Sequence, residues 1–218
     1  MNIEDARKNM VDCQIKTWDV FDLQVLDAFE KVKREDFVPR GSENLAFADI
    51  NLDLGDGQKM MSPKVEARIL QALALKDEDK VLEIGSGSGH MTALLAFLAK
   101  EVASFECRKN LFEAANSNLK KAAIQNAKVY HGDGLTEYEK FAPYDAIVLS
   151  GATPSRQRII EKSLTIGGRM FAIIGSDDVM EAHLVQRISE SNWHMEILFE
   201  TSSEILRGSE LQPVFQFD

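Results

Sequence analysis

Residues 81–89 read VLEIGSGSG, and no other stretch of the chain restricts its fold as strongly. A short β-branched run, Val81 to Ile84, gives way to a turn with glycines at three alternate positions, Gly85, Gly87 and Gly89. An apolar segment of helical character follows from about His90 to Leu98. Glycine has no Cβ and adopts positive φ at little cost, so such a turn lets the backbone approach a ligand closely. The helix beyond it offers unpaired N–H groups and the positive end of a dipole. Strand, glycine turn and helix in that order predict a parallel α/β sheet with a nucleotide-type ligand at the turn.

The spacing narrows the ligand. A dinucleotide site reads G-x-G-x-x-G and places a pyrophosphate at the helix N-terminus. Here the pattern is E-x-G-x-G-x-G, with Glu83 just before the turn and Ser86 within it. A carboxylate at that point repels a pyrophosphate and suits a ligand that carries an ammonium group. S-adenosyl-L-methionine has an ammonium, a sulfonium and no phosphate. Glu106 closes the next apolar run, Glu101 to Glu106, about 20 residues after the first glycine, where an acidic residue accepts hydrogen bonds from ribose hydroxyls. A third run, Ala127 to Tyr130, leads into Gly132, Asp133 and Gly134, and Asp133 is a candidate to face the adenine amino group. Two other readings are a tight turn that binds nothing and an NAD site. Three acidic residues at successive strand ends weigh against the first, and the glycine spacing weighs against the second.

Composition sets the surroundings of this motif. The chain of 218 residues is 44% hydrophobic, enough for one large domain or a core with an extension. Residues 1–75 read as a helical N-terminal extension that ends in a loop and a helix, and residues 76–218 as the cofactor-binding core. No apolar run is long enough to span a bilayer and the N-terminus lacks a signal-peptide core, so a cytoplasmic protein with no membrane partner is expected. Cys13 and Cys107 lie far apart and the four histidines are scattered, which predicts free thiols and no metal. Net charge is −10, from 25 basic and 35 acidic residues that are interspersed. A face able to neutralise a phosphate backbone is not visible, so nucleic acid is not an expected partner. The oligomeric state is not legible.

The periodicity predicts helices over Leu23–Val32 and Pro63–Leu75, the latter with Ser62 as N-cap. Beyond the glycine turn, strands at 101–106, 127–130, 144–149 and 167–174 alternate with helices near 110–123, 156–163 and 179–189. His194–Glu200 and Leu211–Phe217 read as antiparallel closing strands.

These motifs, in this order, resemble the protein-L-isoaspartate O-methyltransferase family, a group of class I S-adenosylmethionine-dependent enzymes. The resemblance covers nearly the whole chain. Met10 to Ile15 is similar to the family's opening helix, Lys33 to Pro39 to its "pR-xFVP" segment, and Leu45 to Asp49 to its "AYxD". Asp56 to Gln58 followed by Pro63 matches the loop ahead of the core, and residues 81–89, 132–134, 144–147 and 164–169 then follow in family order. This resemblance implies an α/β, Rossmann-like class I methyltransferase fold, with a doubly wound, mostly parallel, seven-stranded sheet. It implies S-adenosyl-L-methionine as cofactor and methyl transfer to a carboxylate of a damaged aspartyl residue, in a protein, a peptide or a small carboxylate acceptor. Met60, Met61, Glu83, Gly85, Ser86, Gly87, Gly89, Glu106, Asp133 and Gly134 take the cofactor positions.

One departure stands out. The family loop reads G-Q-T-I-S-x-P, with its hydroxyls at the cofactor and the acceptor. Here it reads GQKMMSP over residues 57–63. Lys59 stands in place of the threonine and Met61 in place of the serine. Ser62 is one position late and is a candidate to replace the lost hydroxyl, or else a helix cap. Lys59 is a candidate partner for the acceptor carboxylate, or else an exposed loop lysine. The alternative function is a cofactor-binding module, or a divergent methyltransferase, without isoaspartyl repair activity. No general base is expected, because a carboxylate acceptor with a pKa of about 4 is already ionised at neutral pH.

Overall fold

The computed structural model describes residues 2–176 and 179–209. Helix α1 spans Ile3–Met10 and runs on into a wider π turn, and α2 spans Leu23–Lys31. A hairpin of β1 (Leu52–Gly55) and β2 (Gln58–Met60) precedes α3 (Pro63–Leu73). Then come β3 (Lys80–Ile84), α4 (His90–Leu98), β4 (Glu101–Glu106), α5 (Lys109–Lys121), β5 (Ala127–His131) and α6 (Gly134–Glu137). The last elements are β6 (Tyr144–Thr153), α7 (Arg158–Glu161), β7 (Leu164–Ser176), β8 (Val179–Arg187) and β9 (Trp193–Thr201).

Strands β3 to β9 form one seven-stranded sheet in the order β5-β4-β3-β6-β7-β8-β9. The first five in that order are parallel, and β8 and β9 close the edge antiparallel. This is the mostly parallel seven-stranded sheet expected from the motifs. The strand order reverses between β3 and β6, and ligands of such sheets sit outside the carboxyl ends of strands at that switch. The central strands of the sheet are buried on both faces, while the edge strand β9 is largely exposed. One face shares its core with the N-terminal elements, through residues such as Ile15, Phe29, Ile69, Leu94 and Phe171. A smaller cluster with Leu82, Phe105, Ile147 and Met170 fills the other.

Local chemistry accounts for most boundaries. Asp22 caps α2, its carboxylate accepting from the amides of Gln24 and Val25. Pro63 opens α3 where a missing N–H costs nothing. Ser62 occupies the N-cap position of α3 as expected, yet its hydroxyl makes no capping hydrogen bond. The amide of Ser62 donates to Asn51 Oδ1 at 2.9 Å and so ties the loop to the start of the hairpin.

The helix expected over 179–189 is instead strand β8, paired with β7 from Arg169↔Gln186 to Ser176↔Val179 and with β9 on its other side. Its Met, Glu, Ala, Leu, Gln and Arg residues favour helix on their own. Burial of Met180 and Ala182 against one core and Val185 against the other, with a register shift at Ala182/His183, removes the alternation that marks a half-buried strand. Pairing on both edges outweighs propensity here. The helix expected at 156–163 is a single turn. The strand expected at His194–Glu200 is present as β9, Trp193–Thr201, whereas the one expected over 211–217 lies outside the described residues.

Candidate functional site

A cleft opens at the carboxyl ends of β3, β4, β5 and β6, the place that the strand order designates. The space between its lining atoms, counted together with the open solvent at its mouth, amounts to about 770 Å³. Its floor is the glycine turn. Gly87 has φ +53° and donates its N–H to Glu106 Oε2 at 3.0 Å. The other Glu106 oxygen accepts from the Arg108 amide at 2.9 Å. These two backbone bonds fix a buried carboxylate at the end of β4, its side chain facing the cleft.

Most of the residues singled out by the sequence line this cleft. Gly85, Ser86, Gly87, Glu106, Asp133 and Gly134 do so from the sheet side, and Lys59, Met60 and Met61 from the hairpin side. Asp133 also caps α6, its Oδ1 accepting from the Leu135 amide at 2.9 Å. Gly134 is required by packing, since a Cβ there would lie 2.9 Å from side-chain atoms of Ile84 and Phe105.

Three of the expected residues sit elsewhere. Gly89 does not line the cleft; its place beside α5 explains it, as a Cβ would lie 3.2 Å from Ala115 Cα. Glu83 lies beneath the turn, wholly buried, and does not line the cleft either. Its carboxylate accepts hydrogen bonds from Thr92 Oγ1, from Ser104 Oγ at 2.6 Å and from Ser150 Oγ at 3.1 Å. Burial pushes the Glu83 carboxyl up to about 7, against the opposing pull of those three hydroxyls. Glu83 is thus the hub of a hydroxyl network whose outer members, Ser86 and Ser150, reach the cleft. Ser62 lines a different, adjoining cavity with Trp18, Asn51, Lys64 and Val65.

The two cavities share Met61 and Ser203. Ser203 belongs to a C-terminal segment that crosses the mouth of the cleft. The Ala152 amide donates to Glu204 O, and the Leu206 amide donates to Ala152 O, each at 2.8 Å. Leu206 lies over the glycine turn, so a Cβ on Gly85 would come within 3.2 Å of it. Lys59 Nζ lies 2.8 Å from Glu204 Oε1 and ties this segment to the hairpin. The carboxylate raises the Lys59 pKa through its hydrogen bond and its charge. Lys59 is therefore already paired within the chain.

Sequence reading passed over a buried ionic cluster behind the loop. Arg34 is fully buried and pairs with Glu66, whose carboxylate also meets His90 Nδ1 at 2.9 Å. Arg34 Nη2 donates to the carbonyl oxygen of Met61 at 2.6 Å, and Arg34 Nε donates to that of Ala46 at 3.0 Å. Burial lowers the pKa of His90, which keeps its ring neutral beside the ion pair. The partners are 32 and 56 positions apart along the chain, so no local pattern could have signalled them. Ser203, Glu204 and Leu206 were missed for the same reason.

Among the described residues no group of three or more His, Cys, Asp or Glu side chains is placed to hold a metal ion. No helix among them is long and apolar enough to cross a membrane.

Comparison with known proteins agrees with this geometry. Residues 5–202 match the family model described as Protein-L-isoaspartate(D-aspartate) O-methyltransferase. A protein-L-isoaspartate O-methyltransferase of Petrotoga mobilis is 36% identical over 197 residues, 90% of this chain and 92% of its own. One of Methanoculleus marisnigri is 38% identical over 182 residues, 83% of each chain. Among solved structures, a protein-L-isoaspartate O-methyltransferase superposes with a TM-score of 0.83 at 24% identity, covering 93% of this chain and 66% of its own. A Plasmodium falciparum protein described by the same activity, solved in complex with S-adenosyl-L-homocysteine, superposes at 0.78 with 18% identity over 95% of this chain and 99% of its own. Motif order, sheet topology and a match across almost the entire sequence agree: the chain belongs to the protein-L-isoaspartate(D-aspartate) O-methyltransferase family.

Proposed function

We propose that this protein methylates the free carboxylate of isoaspartyl residues in damaged polypeptides, with S-adenosyl-L-methionine as methyl donor. As a member of its family it is an S-adenosylmethionine-dependent methyltransferase. The observation that carries the reading is the junction of two cavities at Met61. One, at the strand ends, is lined by Glu106 and Asp133; the other lies beside α3.

The cleft suits the donor. Glu106 presents a carboxylate whose orientation is locked by the Gly87 and Arg108 amides, as recognition of vicinal hydroxyls requires. Asp133 offers a second acceptor at the neighbouring strand end. Met60, Met61, Leu206 and Met91 supply apolar and thioether surface around it, and Met adapts its shape readily. When bound, S-adenosylmethionine supplies an electrophilic methyl group on a positively charged sulfur. The chain's own residues have only to align an acceptor with that group and exclude water, because an ionised carboxylate needs no base. The adjoining cavity is the natural place for the acceptor peptide. Trp18 offers it an apolar wall, over which Lys64 is held by Asp49 at 2.7 Å.

Incubation of the purified protein with methyl-labelled S-adenosylmethionine and an isoaspartyl peptide tests this. A base-labile methyl ester is expected on the isoaspartyl peptide and not on its normal aspartyl counterpart. Absence of ester, with S-adenosylhomocysteine still bound in calorimetry, would instead support a protein that holds the cofactor without repairing isoaspartate.

A further inference from the structure

The cofactor cleft and the adjoining cavity have two wall residues in common, Met61 and Ser203, and only Ser203 carries a hydrogen-bond donor on its side chain. We propose that Ser203 supplies the hydroxyl that positions the acceptor carboxylate, in place of a hydroxyl from the loop. This inference rests on the isoaspartyl-methyltransferase reading above.

The loop itself has no donor to offer at the junction. Met61 presents a thioether there. Ser62 lines the second cavity alone, and Lys59 is engaged by Glu204. Ser203, in contrast, stands on a segment held on three sides. Its amide rests on Met180 Sδ at 3.3 Å, the next residue's carbonyl oxygen accepts from Ala152, and the Glu204 side chain is tied to Lys59. The Ser203 hydroxyl bonds to none of the described residues, so it is free to turn toward a ligand at either cavity. A half-buried donor on a fixed backbone, with one torsion left to adjust, is a preorganised contact.

The chemistry asks for no more than that. One oxygen of the acceptor carboxylate forms a bond to the methyl carbon while the methyl–sulfur bond breaks, its electron pair passing to sulfur. The negative carboxylate and the positive sulfonium become a neutral ester and a neutral thioether, and no proton moves. A hydroxyl that donates to the second carboxylate oxygen sets the line of attack. Ser203 acts here as a positioning residue and not as a base.

The test uses the full chain with an isoaspartyl peptide. In Ser203→Ala, kcat/KM for the peptide falls by about tenfold to a hundredfold, the usual range for losing one hydrogen bond to a charged group. Peptide affinity for the S-adenosylhomocysteine-loaded protein weakens in parallel, while affinity for S-adenosylhomocysteine alone stays within about twofold. Ser203→Thr keeps most of the activity. Met61→Ser added to Ser203→Ala restores at least part of the loss, which a purely structural serine would not allow. Activity of Ser203→Ala within twofold of wild type overturns the proposal, as does an equal loss of S-adenosylhomocysteine binding. Failure of the wild-type protein to methylate the peptide is a separate outcome: it refutes the isoaspartyl reading, and this inference falls with it.

Discussion

Arg34 donates to the carbonyl oxygen of Met61 at 2.6 Å, and through that bond a buried charge holds the loop that divides the two cavities. The same guanidinium pairs with Glu66, and Glu66 meets His90 at the start of α4, so one cluster joins the loop, α3 and the helix that follows the glycine turn. The ion pair is wholly out of water. Its value lies in the alternative it prevents, since removing one partner leaves the other charge buried and unmatched.

Arg34→Met is therefore expected to lower the unfolding free energy by about 3–5 kcal/mol. Replacing both partners, Arg34→Met with Glu66→Met, recovers most of that loss, because no isolated charge remains. Denaturant unfolding of the two variants checks this. A single-variant loss below about 1 kcal/mol would show that the pair does not hold the loop.

Glu83 links stability to pH. Its carboxyl titrates at about 7 in the folded protein, against 4.5 for the ordinary side chain. Between those values the native state binds more protons than the unfolded chain, so stability falls as pH rises from about 4.5 to about 7 and is level above. A shift of this size corresponds to roughly 3 kcal/mol at most. Glu83→Gln keeps a buried hydrogen-bonding group without the charge. It should flatten the stability profile across that window and leave the variant more stable than wild type at pH 8. Parallel pH profiles for both proteins would contradict the assignment.

Gly87 lines the cleft with a positive φ. A Cβ there would lie 3.2 Å from Leu54 Cδ1, and valine is poorly tolerated at φ +53°. Gly87→Val should weaken S-adenosylhomocysteine binding at least thirtyfold in calorimetry while circular dichroism stays unchanged. Affinity within threefold of wild type would place the ligand away from this turn.

The Lys59–Glu204 pair fastens the C-terminal segment across the cleft from outside. Lys59→Glu turns attraction into repulsion, and exposed charges are screened by salt. Release of S-adenosylhomocysteine should become about three to ten times faster in dilute buffer, with the difference fading at high salt. Stopped-flow measurement at two ionic strengths decides this; an unchanged rate in dilute buffer would show that the pair does not hold the segment.

What the sequence by itself determined is what lies contiguous in it. Val81 to Leu98 carries strand, turn and helix within one stretch, so the parallel sheet, the switch-point site and the acidic strand ends at Glu106 and Asp133 could all be read from local pattern. Local pattern failed where a residue's state depends on distant neighbours. Strand β8 has helix-forming residues but is claimed by β7 and β9 on either edge. Glu83 was expected at the ligand, yet the fold buries it beneath the turn, where Thr92 of α4 meets it together with Ser104 and Ser150, which sheet register brings alongside. The cavity adjoining the cleft was decided by tertiary structure alone. Met61 and Ser203 line the same two cavities because β9 returns its end to the mouth of the cleft and Ala152 pins the chain there. Neither residue bears any mark of the other in the sequence.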